Sequence, residues 1–284
     1  MKFSSFLRVH WAAVRALLVL TVITGLIYPL FVWLLAQIPG LHDKAEGSIV
    51  SVGGKPVGSR LIGQLFTDAS GNPLPQYFQS RPSAAGNGYD PMSTGASNLG
   101  PESMSLLNQV CSRSVAIGKL EAVDGSRPFC TGGGVGAVLA VIGPRDARGA
   151  VIRPTRVISV NEPCETTSAP FLNTYEGVRV ECAKKGEDYS IGQMVPIRGA
   201  APADPVVPAD AVSSSGSGLD PDISVAYADL QVARVAKARH VSPEQVRDVL
   251  AQYRTGRVLG FIGEPSVNVL QLNLQLDRRY PVTG

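Results

Sequence analysis

The sequence predicts a single-pass membrane protein: one N-terminal transmembrane helix, then an α+β extracytoplasmic domain carrying a β-rich insertion. Three observations predict this. Residues Ala16 to Ile38 form 23 consecutive uncharged, mostly apolar residues. The middle of the chain holds short runs rich in Val, Ile and Thr, separated by Gly and Pro, together with all four cysteines. The C-terminal part carries capped patterns with apolar residues at helical spacing.

The apolar run comes first. A helix of that length covers roughly 34 Å at about 1.5 Å per residue, against a hydrocarbon core of about 30 Å. Lys2, Arg8, Arg15 and His10 precede it, and no acidic residue appears before Asp43. The excess of positive charge places residues 1–15 in the cytoplasm and everything from about Leu41 outside. A cleaved signal peptide fits less well. The run exceeds the usual 7–15 apolar residues, and Gln37-Ile38-Pro39-Gly40 offers no A-x-A-like site. Trp11 and Trp33 suit the two membrane interfaces, and Pro29 is expected to kink the span.

Charge says little else. The chain has 26 basic and 23 acidic residues, and without Lys2, Arg8 and Arg15 the remainder is balanced. A neutral ectodomain offers no electrostatic basis for binding nucleic acid. Cys111, Cys130, Cys164 and Cys182 are an even set in an oxidising compartment, so two disulfides are expected. Three pairings are possible, and the local one, Cys111 with Cys130 and Cys164 with Cys182, is preferred. No C-x-x-C pair suggests zinc, and no metal site is expected.

Beyond the anchor, residues from about 43 to 107 are rich in Gly, Pro, Ser and Asn, with turn signals at Gly53-Gly54, Gly71-Asn72-Pro73, Asp90-Pro91 and Asn98-Leu99-Gly100-Pro101. Such a segment packs through turns and specific side-chain bonds. Residues 108–204 form the insertion. A short helix is expected near Ser105–Val115, then strands near Val135–Ile142, Val157–Val160, Gly177–Cys182 and Met194–Arg198. Residues 205–284 return to the core domain begun by 43–107. Ser224 caps a helix to about Arg239. Ser242-Pro243-Glu244-Gln245 reads as a capping box, and the apolar stripe Val246, Val249, Leu250 and Tyr253 runs to a stop at Gly256. Val267–Leu276 alternates like a strand, yet Asn268 equally suits a helix cap.

Most catalytic chemistry lacks its residues. There are three histidines, His10, His42 and His240. Ser213–Ser217 has no G-x-S-x-G pattern. Gly132-Gly133-Gly134-Val135-Gly136 lacks the Lys-Ser/Thr end of a phosphate loop and reads as a turn.

Several motifs occur in order: Leu61-Ile62-Gly63-Gln64, Tyr77-Phe78, Arg81-Pro82-Ser83-Ala84, Tyr89-Asp90-Pro91 and Ser97-Asn98-Leu99-Gly100-Pro101. Then come Ser215-Gly216-Ser217-Gly218-Leu219-Asp220-Pro221, Gln231-Val232 with Arg234-Val235-Ala236, and Gly260-Phe261-Ile262-Gly263-Glu264-Pro265 before Val267-Asn268-Val269-Leu270. The ordered set resembles the C subunit of the Kdp potassium-transporting P-type ATPase. It covers about Ser4–Leu107 and Pro205–Asp277. Two departures stand out: the cysteine-bearing insertion, and Thr94-Gly95-Ala96-Ser97-Asn98 where the family has Ser-Gly-Gly-Ser-Asn.

The resemblance implies a non-catalytic accessory subunit of an ATP-driven, high-affinity potassium uptake pump in the cell membrane. Its implied partners are a channel-like A subunit, a P-type ATPase B subunit, a small F subunit and the lipid bilayer. ATP and potassium are used by the complex, and this chain is expected to hold no cofactor of its own. The family carries the label of a catalytic chaperone that raises ATP affinity, although an outside domain stands apart from cytoplasmic ATP. Arg81, Asp90, Asn98, Asp220, Glu264 and Asn268 are candidates for a partner interface or an ion entrance, since their oxygens suit hard cations and Arg81 suits a carboxylate. Local roles compete: Asx turns at Asp90, Asn98 and Asp220, a turn at Gly100, and positive φ at Gly216 and Gly218. The insertion is read as a surface decoration or a contact with the cell envelope. Without the resemblance, the same residues describe a membrane-anchored binding or scaffold module unrelated to potassium.

Overall fold

The computed structural model describes residues 3–162 and 167–282. It divides into two compact units, Met1–Leu61 and Ile62–Gly284. In the first, α1 (Phe3–Val22), one π turn (Ile23–Ile27) and α2 (Tyr28–Ala36) follow without a break. The helix begins well before Ala16, because nothing from Phe3 onward breaks it. Gln37 ends it, donating to the Leu34 and Leu35 carbonyls. The expected kink at Pro29 takes the form of the π turn. Proline has no N–H to give the carbonyl four residues back. The Tyr28 N–H reaches the Ile23 carbonyl five residues back, and the turn absorbs an extra residue. Large apolar side chains are exposed all round this helix, which is long and apolar enough to cross a membrane.

After α3 (His42–Ala45), β1 (Ile49–Val52) and β2 (Lys55–Ser59) form an antiparallel hairpin. Val52 pairs with Lys55 around Gly53-Gly54, whose φ of +57° and +77° fit a two-residue primed turn.

The second unit has a large core and a satellite sheet. A 3-10 turn (Pro91–Ser93) precedes α4 (Met104–Glu121), which is capped by Ser103. This helix outruns the expected 105–115, ending only where Ala122 turns left-handed at φ +56°. Its Val110 and Ile117 pack on the large core, so it crosses the expected boundary at residue 107. The satellite sheet comprises β3 (Val138–Ile142), β4 (Arg156–Ser159), β5 (Thr174–Tyr175), β6 (Val178–Cys182) and β7 (Gln193–Pro196), in the order β5-β6-β4-β3-β7. Only β4 and β6 pair in parallel. Alternation sends Leu139, Val141, Val157 and Val180 to one face and Ala140 and Ile158 to the other. Cys111 of α4 is bonded to Cys130 ahead of β3, as expected. Cys182 is also in a disulfide, while its expected partner Cys164 lies outside the described residues. The Gly132–Gly136 run is a tight turn in which Thr131 N–H donates to Val135 O at 2.8 Å.

The chain returns through α5 (Ala209–Val212), β8 (Asp222–Ser224), α6 (Val225–Ala238), α7 (Pro243–Tyr253), β9 (Arg254–Thr255), β10 (Ser266–Asn268) and α8 (Val269–Arg279). The capping box of Ser242 and Gln245 forms as expected. Helix α7 stops before Gly256, because Arg254 and Thr255 pair with Val267 and Ser266. Asn268 is a helix cap, so Val267–Leu276 is a short strand followed by a helix. Leu272 and Leu276, four apart on α8, enter the core beside Val232, Val235, Val246 and Val249.

Candidate functional site

The turn-rich segment after Ile62 has little regular structure, and helix side chains hold it in place. Asn273 on α8 is buried and grips Phe78 at both ends. It accepts from the Phe78 N–H at 2.8 Å and donates to the Phe78 carbonyl at 2.9 Å. Buried Gln231 on α6 treats Gln79 the same way, at 2.6 and 3.1 Å. Arg234 donates to the Pro75 and Tyr77 carbonyls at 2.7 and 2.9 Å, and Arg239 to Gln76 at 2.8 Å. Side chains thus do for this segment what a neighbouring strand would do. Arg234 also meets Glu121 of α4 at 3.0 Å in a buried pair, where burial pushes the Glu121 carboxyl up against the pull of Arg234.

The end of this segment is clasped to Ser213–Pro221. Arg81 Nη1 lies 3.1 Å from Asp220 Oδ2, and its Nε and Nη2 donate to the Ser213 carbonyl at 3.4 and 3.3 Å. The Tyr89 hydroxyl donates to the Arg81 carbonyl at 2.5 Å. Ser83 Oγ donates to Gly218 O at 2.6 Å and accepts from Tyr89 N–H at 2.8 Å. Gly63 N–H donates to Leu219 O at 2.9 Å, and Gly95 N–H and Thr94 Oγ1 both donate to Ser217 O at 2.8 Å. Burial pushes the Tyr89 phenol up to about 12.

Two glycines make this closeness possible. A Cβ on Gly63 would stand 2.2 Å from Tyr89 Cε1 and 2.8 Å from Asp220 O. One on Gly218, at φ +70°, would stand 2.8 Å from both Ala85 N and Gly95 O. Gly216 does not share that positive φ. Ser215 O accepts from Gly218 N–H at 3.2 Å, so the turn places its left-handed residue at Gly218 and leaves Gly216 in an ordinary conformation.

The six candidate side chains do not converge on one point. Arg81 and Asp220 meet in the clasp. Asn268 caps α8 by accepting from Gln271 N–H at 3.1 Å, and donates to Asp222 Oδ1 at 3.0 Å. Asp90 caps the Pro91–Ser93 turn through Met92 N–H at 2.9 Å. Asn98 is exposed at φ +53°, and Gly100 accepts from Ser103 N–H at the entry to α4. Glu264 is exposed and pairs with Arg257 at 2.6 Å. Reading the sequence by residue type passed over Tyr89, Ser83, Gln231 and Asn273 as site residues. The first three stand inside the ordered motifs. Asn273 had one signal: a polar residue placed between the core positions Leu272 and Leu276.

A family profile described as "K+-transporting ATPase, c chain" matches residues 10–129 and 191–278. The potassium-transporting ATPase KdpC subunit of Kineococcus radiotolerans is 36% identical over 278 residues, covering 98% of this chain and 97% of its own. That of Koribacter versatilis is 34% identical over 264 residues, covering 93% and 91%. That of Mycobacterium tuberculosis is 35% identical over 266 residues, covering 94% and 96%. The profile leaves residues 130–190, which hold most of the satellite sheet, unmatched.

Proposed function

The chain belongs to the family of K+-transporting ATPase c chains, and on that footing we propose how it is placed in the membrane and what it does there. It is an accessory subunit of the Kdp potassium-transporting ATPase. The apolar run Ala16–Ile38, most of it in the helix Phe6–Ala36, crosses the bilayer once, with residues 1–15 in the cytoplasm and the second unit outside. The subunit assembles with a channel-like A subunit, a P-type ATPase B subunit and a small F subunit. Catalysis and ion passage belong to those partners.

One observation carries the assembly reading. The motifs of the Arg81 and Asp220 segments spend their polar groups on each other, in a clasp that shapes the domain from within. Arg81, Asp220 and Asn268 therefore act by holding form. Asp90, Asn98 and Glu264 stand on loops, where they meet a partner or bias cations toward an entrance. The module beyond Cys130 adds a surface whose partner is the cell envelope. ATP is bound by the ATPase subunit, and this chain supports its hydrolysis through assembly. A reading unrelated to potassium is not favoured, given the curated relatives.

The test is purification through a tag on this chain from gently solubilised membranes. Potassium-stimulated ATP hydrolysis should co-purify, and photoaffinity labelling with an azido-ATP should mark the ATPase subunit and not this chain. Label on this chain would overturn the proposed division of labour. Recovery of the chain alone, folded and inactive, would overturn the assembly role.

A further inference from the structure

We propose that the turn Val258–Ile262 is an apolar plug that seats in an uncharged apolar groove on the extracytoplasmic face of a membrane-embedded subunit of the same pump. This rests on the subunit reading and topology proposed above. Val258, Leu259, Phe261 and Ile262 are 62%, 79%, 71% and 50% exposed. Such a concentration of projecting apolar side chains marks an interaction site. The turn is held in shape. Val258 and Ile262 exchange N–H to carbonyl bonds in both directions, each at 2.9 Å, and Gly260 N–H donates to Arg257 O at 3.1 Å. Leu259 sits at φ +54°, a left-handed conformation that an ordinary side chain adopts only when its surroundings impose it. The Arg257–Glu264 pair closes the base, and β9 and β10 fix the two ends.

Three features choose the occupant. The first is area. The four side chains expose on the order of half of the roughly 800 Å² per partner used by a stable interface. That is too little to capture a second copy of this chain from solution. It suffices for a partner already confined to the same membrane, where effective concentration is high. The second is charge. Arg257 is the one cation between Gly256 and Pro265, and Glu264 neutralises it. An apolar loop that binds anionic lipid carries unpaired Lys or Arg around its tip. A neutral plug is complementary to a neutral wall. The third is shape. A fixed turn at Leu259 presents a single outline, which a protein groove reads and a fluid lipid surface does not.

The test places benzoylphenylalanine at Phe261 in the full chain, expressed with its complex, followed by irradiation and purification through a tag on this chain. An adduct with a membrane subunit that co-purifies with the potassium-stimulated ATPase is expected. Adducts only with lipid or with a second copy of this chain, or no adduct from an intact complex, would overturn the plug. The variant carrying Leu259→Ser and Phe261→Ser should recover at least tenfold less ATPase subunit per tagged chain, with its own thermal unfolding unchanged. Undiminished recovery would overturn the proposal as well. A wild-type chain that recovers no ATPase subunit would refute the subunit reading and the plug with it.

Discussion

Tyr89 shows how much one side chain can hold. Its hydroxyl anchors the Arg81 carbonyl, its ring lies against Gly63, and its N–H is held by Ser83. Burial raises its pKa from 10.0 to about 12. A raised pKa stabilises the fold while the phenol stays protonated in both states. That contribution is whole below pH 10 and is lost as pH rises from 10 through about 12. A shift of this size corresponds to about 2–3 kcal/mol. Wild-type stability should therefore fall across that window, and Tyr89→Phe should fall less steeply while starting lower. Thermal unfolding of the full chain in detergent, measured at several pH values, checks this. Parallel curves for the two proteins would show that Tyr89 does not supply the slope.

At the scale of elements, the extended segment through Phe78 depends on α6 and α8 for its hydrogen bonds. Asn273→Leu keeps the number of heavy atoms and the branching at Cγ and removes both bonds to Phe78. Leaving a buried N–H and carbonyl without partners costs about 2–4 kcal/mol, so a clear drop in the unfolding midpoint is expected. Asn273→Asp keeps the acceptor but sets a second oxygen against the Phe78 carbonyl in a buried site, so at neutral pH it should also lower the midpoint. An unchanged midpoint for the leucine variant would mean that the segment finds other partners. The same contacts explain what was legible in the sequence. Helices α6 and α7 announce themselves through Ser224, the Ser242–Gln245 box and the Val246–Leu250 stripe, because caps and periodicity are local. The strands of the satellite sheet follow from Val and Ile alternation for the same reason. The Arg81–Asp220 clasp was legible only as two motifs far apart, since 139 residues separate its partners. Helix α8 stayed ambiguous because Leu270 to Leu276 alternate while Asn268 offers a cap. The structure settles it by placing Leu272 and Leu276 on one buried face.

At the scale of the whole molecule, the Cys111–Cys130 disulfide ties the satellite sheet to the large core. Cys111 is buried on α4 and Cys130 opens the path to β3. Closing a loop of 19 residues contributes about 3 kcal/mol through the unfolded state. Replacing both cysteines by alanine should lower the unfolding midpoint of the full chain and increase protease cleavage between residues 122 and 137. Equal midpoints and equal cleavage would show that packing alone secures the junction. The N-terminal helix carries a different kind of constraint. Its π turn at Ile23–Ile27 takes up one residue more than an α turn. At 3.6 residues per turn, that rotates everything after it by about 100° relative to an unbroken helix. The side chains of Phe3–Val22 and those of Tyr28–Ala36 are thus out of phase, and a stripe followed down the first half emerges on another side in the second. One helix thereby offers two separate azimuths at two heights, so the neighbour it addresses along Phe3–Val22 need not be the neighbour it addresses along Tyr28–Ala36.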